Sequence, residues 1–450
     1  MRVFLPAVLL LGACSVAPEP ASPARAVSAL RSGQVLAALQ ERYRVAGLDR
    51  SDFNHAQFWA AIGPIIDAAP GMERRAVGRS ALGRPIYAVR YGHGPTRVLL
   101  WSQMHGNEST ATMALADIVR FLTEVPGDPL ARRLANRLTV LFVPMLNPDG
   151  AQLFERRNAQ GIDINRDARS LATPEARALK SLQASFRPDF GFNLHDQNVR
   201  TRVGSSDRLA AIALLAPAYD STNTLNETRT RALRVATVVL EAVNPFVAGH
   251  VTRYDDTFNP RAFGDLMQRW GVSTVLIESG GWRNDPEKQY LRRVNFVALL
   301  TALDAIATGS YARADAARYR ALPFNGGSVR DLLVQGGTVV APGLPPYAAD
   351  LAIDYDRPLR QQGGRIVEIG DLSRTEARDT LDIAGLFIHL PGRDSGDPAG
   401  LHVEPGETPA IFDVRRGPEP DSPLVWRVQA GAPLRAPAGG SDFDTVDAGA

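Results

Sequence analysis

The chain has 450 residues, a formal net charge of +2, 45% hydrophobic and 22% charged side chains. That length supports a large core and two or three domains. The balanced charge, without a basic run or interleaved basic and aromatic residues, argues against nucleic acid as a partner. No run of eighteen apolar residues offers a membrane span.

The first fourteen residues stand apart. Arg2 gives a positive start, residues 3–11 are mostly apolar, and Leu11-Gly12-Ala13-Cys14 closes with small residues, the pattern of an export signal. Cys14 is the one cysteine of the chain, so no internal disulfide can form. The tetrad resembles the lipobox of bacterial lipoproteins. That resemblance implies lipid attachment at Cys14, a membrane anchor, and a place in the cell envelope facing the periplasm. A plain cleaved leader with a chance cysteine is the alternative. Residues 15–71 then read as a Pro-, Ala- and Ser-rich tether followed by helical spacing (Val35, Leu36, Leu39, Phe58, Trp59, Ile62).

From about residue 72 to 316, strands and helices alternate. Ala76 to Ser80 and Pro85 to Arg90 form a predicted hairpin with Gly83 in its turn. Val98-Leu99-Leu100-Trp101 has the continuous apolar character of a strand buried on both faces, and Ser109-Thr110 is a predicted cap for the helix that follows. Leu138 to Met145 is a further strand, emptying into the turn signal Asn147-Pro148-Asp149-Gly150. Thr173-Pro174-Glu175 and Asp285-Pro286-Glu287 each read as a helix start, and residues 226–243 carry a long amphipathic pattern. Two more strands end in His195 and Glu278. The alternation predicts an α/β fold with a mixed, largely parallel sheet and helices on both faces. His105, Asn147, His195 and Glu278 then all fall at strand ends, where open α/β sheets bind ligands.

After residue 317 the texture changes to short strands with Gly and Pro turns, a small all-β module over 317–391. It loosely resembles the β-sandwich beside amidohydrolase barrels (Gly336-Gly337-Thr338-Val339-Val340), with no metal motif to carry an activity across. Residues 392–450, rich in Pro, Gly and Asp, read as a low-complexity, mobile tail.

His105 and Glu108, three apart on one turn, can reach a single Zn²⁺. Taken alone, the pair also fits a surface histidine beside a solvated glutamate. The densest polar run is Arg156-Arg157-Asn158 through Gly161-Ile162-Asp163-Ile164-Asn165-Arg166-Asp167. Arginine and asparagine there can clamp a carboxylate or steady an oxyanion; composition alone favours a solvated loop with structural salt bridges.

The ordered set His-x-x-Glu, Asn-Pro-Asp-Gly, Arg-x-Asn, Gly-x-Asp-x-Asn-Arg, a strand ending in His and a later strand ending in Glu resembles the zinc metallocarboxypeptidases of the carboxypeptidase A/B type, over roughly residues 72–307. The resemblance implies one Zn²⁺ held by His105, Glu108 and His195, with Glu278 as general base. It implies Arg156 on the scissile carbonyl, Asn165 and Arg166 on the carboxylate of a peptide's free C-terminus, and Tyr254 closing over the substrate, with Tyr290 as its rival. The chain departs from the digestive enzymes at Asp196-Gln197, where Asp196 could orient His195, and at Asp255-Asp256, which could favour a basic substrate end or simply be solvated. His55, His93, His250, His389 and His402 read as structural or exposed, and Trp282 as packing. Two other functions fit part of the pattern. A deacylase of the aspartoacylase type shares His-Gly-Asn-Glu and Asn-Arg. A non-catalytic envelope binding protein would be expected to have lost a ligand or the base.

Overall fold

The structure, a computed structural model, describes residues 32–359, 362–391 and 409–428. The leader, the tether up to residue 31 and Cys14 lie outside the described residues. So do His402 and the rest of the tail.

Two helices, α1 (Gly33–Tyr43) and α2 (His55–Asp67), precede a hairpin of β1 (Met72–Arg79) and β2 (Pro85–Tyr91). There follow β3 (Thr96–Ser102), α3 (Thr110–Glu124), α4 (Pro129–Arg137), β4 (Leu138–Val143), α5 (Pro148–Leu153), α6 (Pro174–Phe186) and β5 (Phe190–Asp196). The chain continues through β6 (Thr201–Val203), β7 (Ile212–Leu215), α7 (Glu227–Val243), β8 (Val251–Arg253), α8 (Phe263–Arg269), β9 (Ser273–Ser279) and α9 (Gln289–Thr308). Eight strands form one sheet in the order β1-β2-β4-β3-β5-β9-β7-β8. The central run β4-β3-β5-β9 is parallel, while β1, β2 and the β9–β7 pair are antiparallel. The expected mixed, largely parallel sheet is what forms.

Burial explains the apolar run of β3. Val98 and Leu100 join the core under α1, α3, α7 and α9, whereas Leu99 and Trp101 face the opposite core under α6 and α8. A strand with both faces covered has no solvent side on which to place polar residues.

Three local expectations change. Asn147-Pro148-Asp149-Gly150 is the first turn of α5: the Asn147 side chain accepts from Gly150 N at 2.9 Å, so a turn signal with Pro at the first helical position became a cap. Ser109 stands at the N-cap of α3, but its hydroxyl donates to Ser51 O at 2.5 Å and no side-chain cap forms. Asp285 does serve α9, yet across five and six residues, accepting from Tyr290 N and Leu291 N at 3.0 Å each, because the left-handed Lys288 delays the helix start.

The module after residue 317 continues with a short helix α10 (Ala316–Arg320) and with β10 (Asn325–Ser328), which pairs with β6. Its strands are β11 (Arg330–Gln335), β12 (Thr338–Val340), β13 (Tyr347–Ala348), β14 (Asp350–Asp354), β15 (Arg365–Gly370), β16 (Ala377–Asp382) and β17 (Phe387–His389). Two more, β18 (Phe412–Arg415) and β19 (Leu424–Val428), fall inside the stretch expected to be a mobile tail and pair onto β17 and each other. Phe412 and Val414 point into the core while Asp413 and Arg415 do not, a period-two signal too short to stand out in so much Pro, Gly and Asp. The sheets β15-β14-β11-β16 and β13-β12-β17-β18-β19 share one core through Leu332, Ile353 and Ile366 on one side and Val339, Ile388 and Val414 on the other, so the module is a sandwich.

The N-terminal helices belong to the main core, held by a buried ion pair. Asp117 of α3 and Arg292 of α9 are both fully buried; Arg292 Nε and Nη2 donate to Asp117 at 2.7 and 2.5 Å. Gln40 Nε2 and Val45 N also donate to Asp117 at 2.8 Å, and Arg292 Nη1 donates to Leu48 O at 2.7 Å. Asp117→Ala strands the guanidinium and is expected to cost about 3–5 kcal/mol in chemical denaturation, whereas Asp117→Leu with Arg292→Met recovers most of that loss.

Candidate functional site

Three parallel strands deliver the donors. β5 lies between β3 and β9, and its register sets His195 directly beside Glu278. His105 and Glu108 come on the turn after β3. Gln103 leaves that strand in the left-handed region (φ 47°), a conformation costing roughly 1–3 kcal/mol for a side-chain-bearing residue. Its Nε2 donates to Gly106 O at 2.8 Å and holds the turn. Gly106 is demanded by contact: a Cβ there would sit 2.0 Å from the carbonyl carbon of Gly150. The His-Gly-Asn-Glu and Asn-Pro-Asp-Gly motifs therefore touch backbone to backbone.

Glu108 is the hub. Its Oε1 lies 2.8 Å from His105 Nδ1, its Oε2 lies 2.7 Å from His195 Nδ1, and Arg156 Nη1 donates to Oε1 at 2.9 Å. The imidazole rings stand 4.9 Å apart, and one ligand atom from each of His105, Glu108 and His195 falls within 4.8 Å of the others. Among the described residues this is the one buried cluster that could hold a metal ion. Two imidazoles and one carboxylate form a donor set of catalytic zinc sites, which keep a further position open.

The outward nitrogens are fixed as well. His105 Nε2 lies 2.9 Å from Asp163 Oδ1, and His195 Nε2 lies 3.4 Å from Asn165 Nδ2. Asp163 also accepts from Arg156 Nη2 at 3.0 Å. It is the residue the motif reading missed, although it stands inside the quoted Gly-x-Asp-x-Asn-Arg run; a carboxylate that holds a ligand's second ring nitrogen is a recurrent feature of metal sites. Asp196, expected as a partner for His195, is not one. It accepts from Thr110 Oγ1 at 2.6 Å and lies 3.9 Å from Lys288, because the residue after His195 on a strand points to the opposite face.

Burial of so many ionisable groups shifts them strongly. Desolvation disfavours charge on His105, but Glu108 and the bonds to Asp163 and Glu108 outweigh it and raise its pKa to about 9. His195 moves the other way, down, with burial the larger influence. Burial would raise Glu108, yet the two imidazoles hold it below the usual carboxylate range. Burial and then the charge of Glu108 push Glu278 well above that range. A carboxyl so strongly perturbed inside a cavity is a candidate functional group.

A cavity of about 540 Å³ brings together His105, Glu108, Arg156, Asn165, Arg166, Tyr254 and Glu278, and it is also lined by Asp255 and Asp265. Arg166 Nη1 donates to the carbonyl of Asn165 at 2.8 Å, and Asn165 Oδ1 accepts from Phe263 N at 2.9 Å, so the pair is anchored to α8. Tyr290 stands elsewhere, its hydroxyl donating to Phe246 O and its ring stacked on Trp282. Asn147, also at a strand end, caps α5 through its Oδ1, while its Nδ2 donates to Arg156 O at 3.4 Å. The rest of the polar run is structural. Asp149 accepts from Ser80 Oγ and Arg84 Nη1 at 2.7 Å and from Leu82 N at 3.0 Å, holding the β1–β2 turn, and Asn158 donates to Glu175. His55, His250 and His389 each meet a backbone carbonyl.

Residues 67–208 match the family model described as zinc carboxypeptidase, which bears out the resemblance read from the motifs. Carboxypeptidase 2 of Trichophyton rubrum is 32% identical over 100 residues, 22% of this chain and 18% of that protein. Carboxypeptidase D of Mus musculus is 33% identical over 132 residues, 23% of this chain and 9% of that one. The chain spans a fifth or less of the length of the curated relatives it matches. Among solved structures, a metallo-carboxypeptidase from Burkholderia cenocepacia is similar at 20% identity and a TM-score of 0.45, over 56% of this chain and 70% of that one. A metallo-carboxypeptidase from Pseudomonas aeruginosa in complex with (2-guanidinoethylmercapto)succinic acid is similar at 18% identity and 0.46, over 57% and 70%.

Asp265 in the cavity wall permits a test of the electrostatics away from the donors. Burial raises its pKa to about 6, against the hydrogen bond it accepts from Asn259 N. A carboxyl whose folded pKa lies above its unfolded one favours the fold below pH 4 and loses that contribution as pH rises through about 6. Asp265→Asn keeps the acceptor and removes the charge. Thermal or urea unfolding should show no difference near pH 4 and a gain for the variant of about 2–3 kcal/mol at pH 8.

Proposed function

We propose that the chain is a zinc-dependent exopeptidase that removes the C-terminal residue of peptides, with His105, Glu108 and His195 holding the ion. One observation supports this most: His105 and Glu108 of the donor cluster line one cavity together with Asn165, Arg166, Tyr254 and Glu278, residues far apart in sequence. Bound there, zinc would polarise the scissile carbonyl and acidify a water molecule.

The chain's own groups do the rest. Arg166, with no acid partner in hydrogen-bond range among the described residues, presents its guanidinium to the substrate's terminal carboxylate, a pairing geometry that arginine meets bidentately. Asn165, pinned by Phe263 N and His195, sets the place of that arginine and can add an amide proton. Arg156, 44% exposed, faces the scissile carbonyl and donates to the oxygen as charge builds there. Glu278, in its ionised form, takes a proton from the attacking water and passes it to the leaving amine. Tyr254 covers the bound residue from the opposite wall. Export and lipid attachment at Cys14 belong to the same reading and rest on the leader sequence alone, as does a choice of cell-wall peptides as substrate.

The test is incubation of the full-length protein in detergent with a mixed peptide library, followed by mass spectrometry of C-terminal loss. Stepwise trimming is expected, abolished by a chelator. Glu278→Gln should lower kcat by about 10²–10⁴ while retaining bound zinc. Intact peptides with zinc bound would sink the proposal and move attention to N-acyl amino acids, the substrates of the deacylase reading. Asp163→Asn should weaken zinc binding by about 10–100-fold in competition with a chromogenic chelator, with little change in the melting temperature of the metal-free protein.

A further inference from the structure

The cavity does not end at Glu108. A second one of about 740 Å³ opens on the other side of the same carboxylate, and the two share Glu108, Arg156, Asp196, Gln197 and Asn198. Asn165, Arg166, Tyr254 and Glu278 line only the first. The far wall of the second is Asp356, Arg357, Pro358 and Leu359, a loop of the C-terminal sandwich. Its size is within the roughly 300–1,000 Å³ of pockets that enclose sizeable ligands.

That wall is held rigidly to the catalytic strands. Asp331 of β11 is fully buried and accepts from Arg200 Nε at 2.7 Å, Arg378 Nη1 at 2.9 Å and Tyr355 N at 2.7 Å. Arg200 lies five residues beyond His195 and also donates to Tyr355 O at 2.7 Å; Arg378 donates to Pro358 O at 3.2 Å. Both ends of the 355–358 turn are therefore fixed by the two arginines that neutralise one buried acid.

The near wall carries acceptors without donors. Among the described residues, no hydrogen-bond partner meets the buried Asn107 Oδ1 or Asp196 Oδ1, and the Asp196 side chain is only 9% exposed. A buried acceptor left unsatisfied is costly and points to something that supplies a proton. An extended peptide's backbone N–H groups could supply one once either side chain rotates to open its oxygen to the cavity.

We propose that the second cavity receives the substrate residues preceding the scissile bond, and that the C-terminal sandwich is thereby a working wall of the active site that selects extended peptides over dipeptides. The inference rests on the carboxypeptidase reading. With the terminal carboxylate at Arg166, which lines only the first cavity, and the scissile carbonyl at Arg156, which lines both, the preceding residues continue into the second cavity.

The experiment compares N-acetylated peptides of two to five residues sharing the same C-terminal pair, using the full-length zinc protein. The expected result is a rise in kcat/KM of about tenfold or more from the dipeptide to the tetrapeptide, equivalent to about 1.4 kcal/mol. In Arg357→Ala, and in Leu359→Trp, which fills the cavity, that ratio should fall at least threefold. Calorimetric binding of the same peptides to Glu278→Gln, read without turnover, should show the same length dependence and its loss in the double variants. Trimming that ignores length, or sandwich variants that lower all lengths equally, overturns this inference while leaving the carboxypeptidase reading intact. If no peptide is trimmed, that reading fails by itself, and calorimetry still decides whether the second cavity binds extended chains.

Discussion

Everything at the centre of this molecule follows from placing two carboxylates, Glu108 and Glu278, side by side at buried strand ends. Neither can be solvated, and each raises the cost of charge on the other. The protein compensates with two imidazoles and one guanidinium gathered on Glu108, which stays ionised while Glu278 is driven towards its neutral form. The compensation is incomplete without a further positive charge. In the function proposed above, a divalent cation between His105, Glu108 and His195 would relieve the crowding and favour the ionised form of Glu278, so that metal binding and proton transfer would draw on one electrostatic arrangement.

That arrangement depends on parallel strand register more than on any loop. Pairing of β5 with β9 sets His195 against Glu278, and pairing of β3 with β5 brings the His105–Glu108 turn to the same edge. A one-residue slip in either would send the donor to the opposite face. The faces are pinned because both are buried, under α3, α7 and α9 on one side and α6 and α8 on the other. The close approach of Gly106 to Gly150 then leaves the turn no room to adjust.

The strand ends were legible because a doubly buried parallel strand is an unbroken apolar run, and the first polar residue after it announces where the sheet stops. Glu278 stood out in this way directly after Val275-Leu276-Ile277, while His195 follows Asn193 in its strand and His105 lies on the turn beyond Ser102 and Gln103. Residues whose role depends on distant partners did not. Asp163 looks like any acid in a polar loop until His105 is 2.9 Å away, and Asp149 and Asn158, in equally polar company, turn out to bind the hairpin and Glu175. Asp196 was misassigned because adjacency in sequence suggests adjacency in space, which a strand denies. β18 and β19 were hidden by composition: three or four alternating residues outweigh their Pro- and Gly-rich surroundings only once β17 offers an edge to pair with.

The attachment of the sandwich shows the same economy of purpose. A buried acid shared by two arginines is no more stabilising than a well-packed apolar contact, since desolvation offsets most of the attraction. What Asp331 with Arg200 and Arg378 does supply is direction: charged hydrogen bonds tolerate one geometry, and apolar packing tolerates several. A module needed only for stability or tethering has no use for that constraint. A module whose 355–359 loop walls a substrate cavity beside Glu108, as proposed above, would have a use for it, and the chain anchors that loop through Arg200, on the segment that leaves the strand carrying His195.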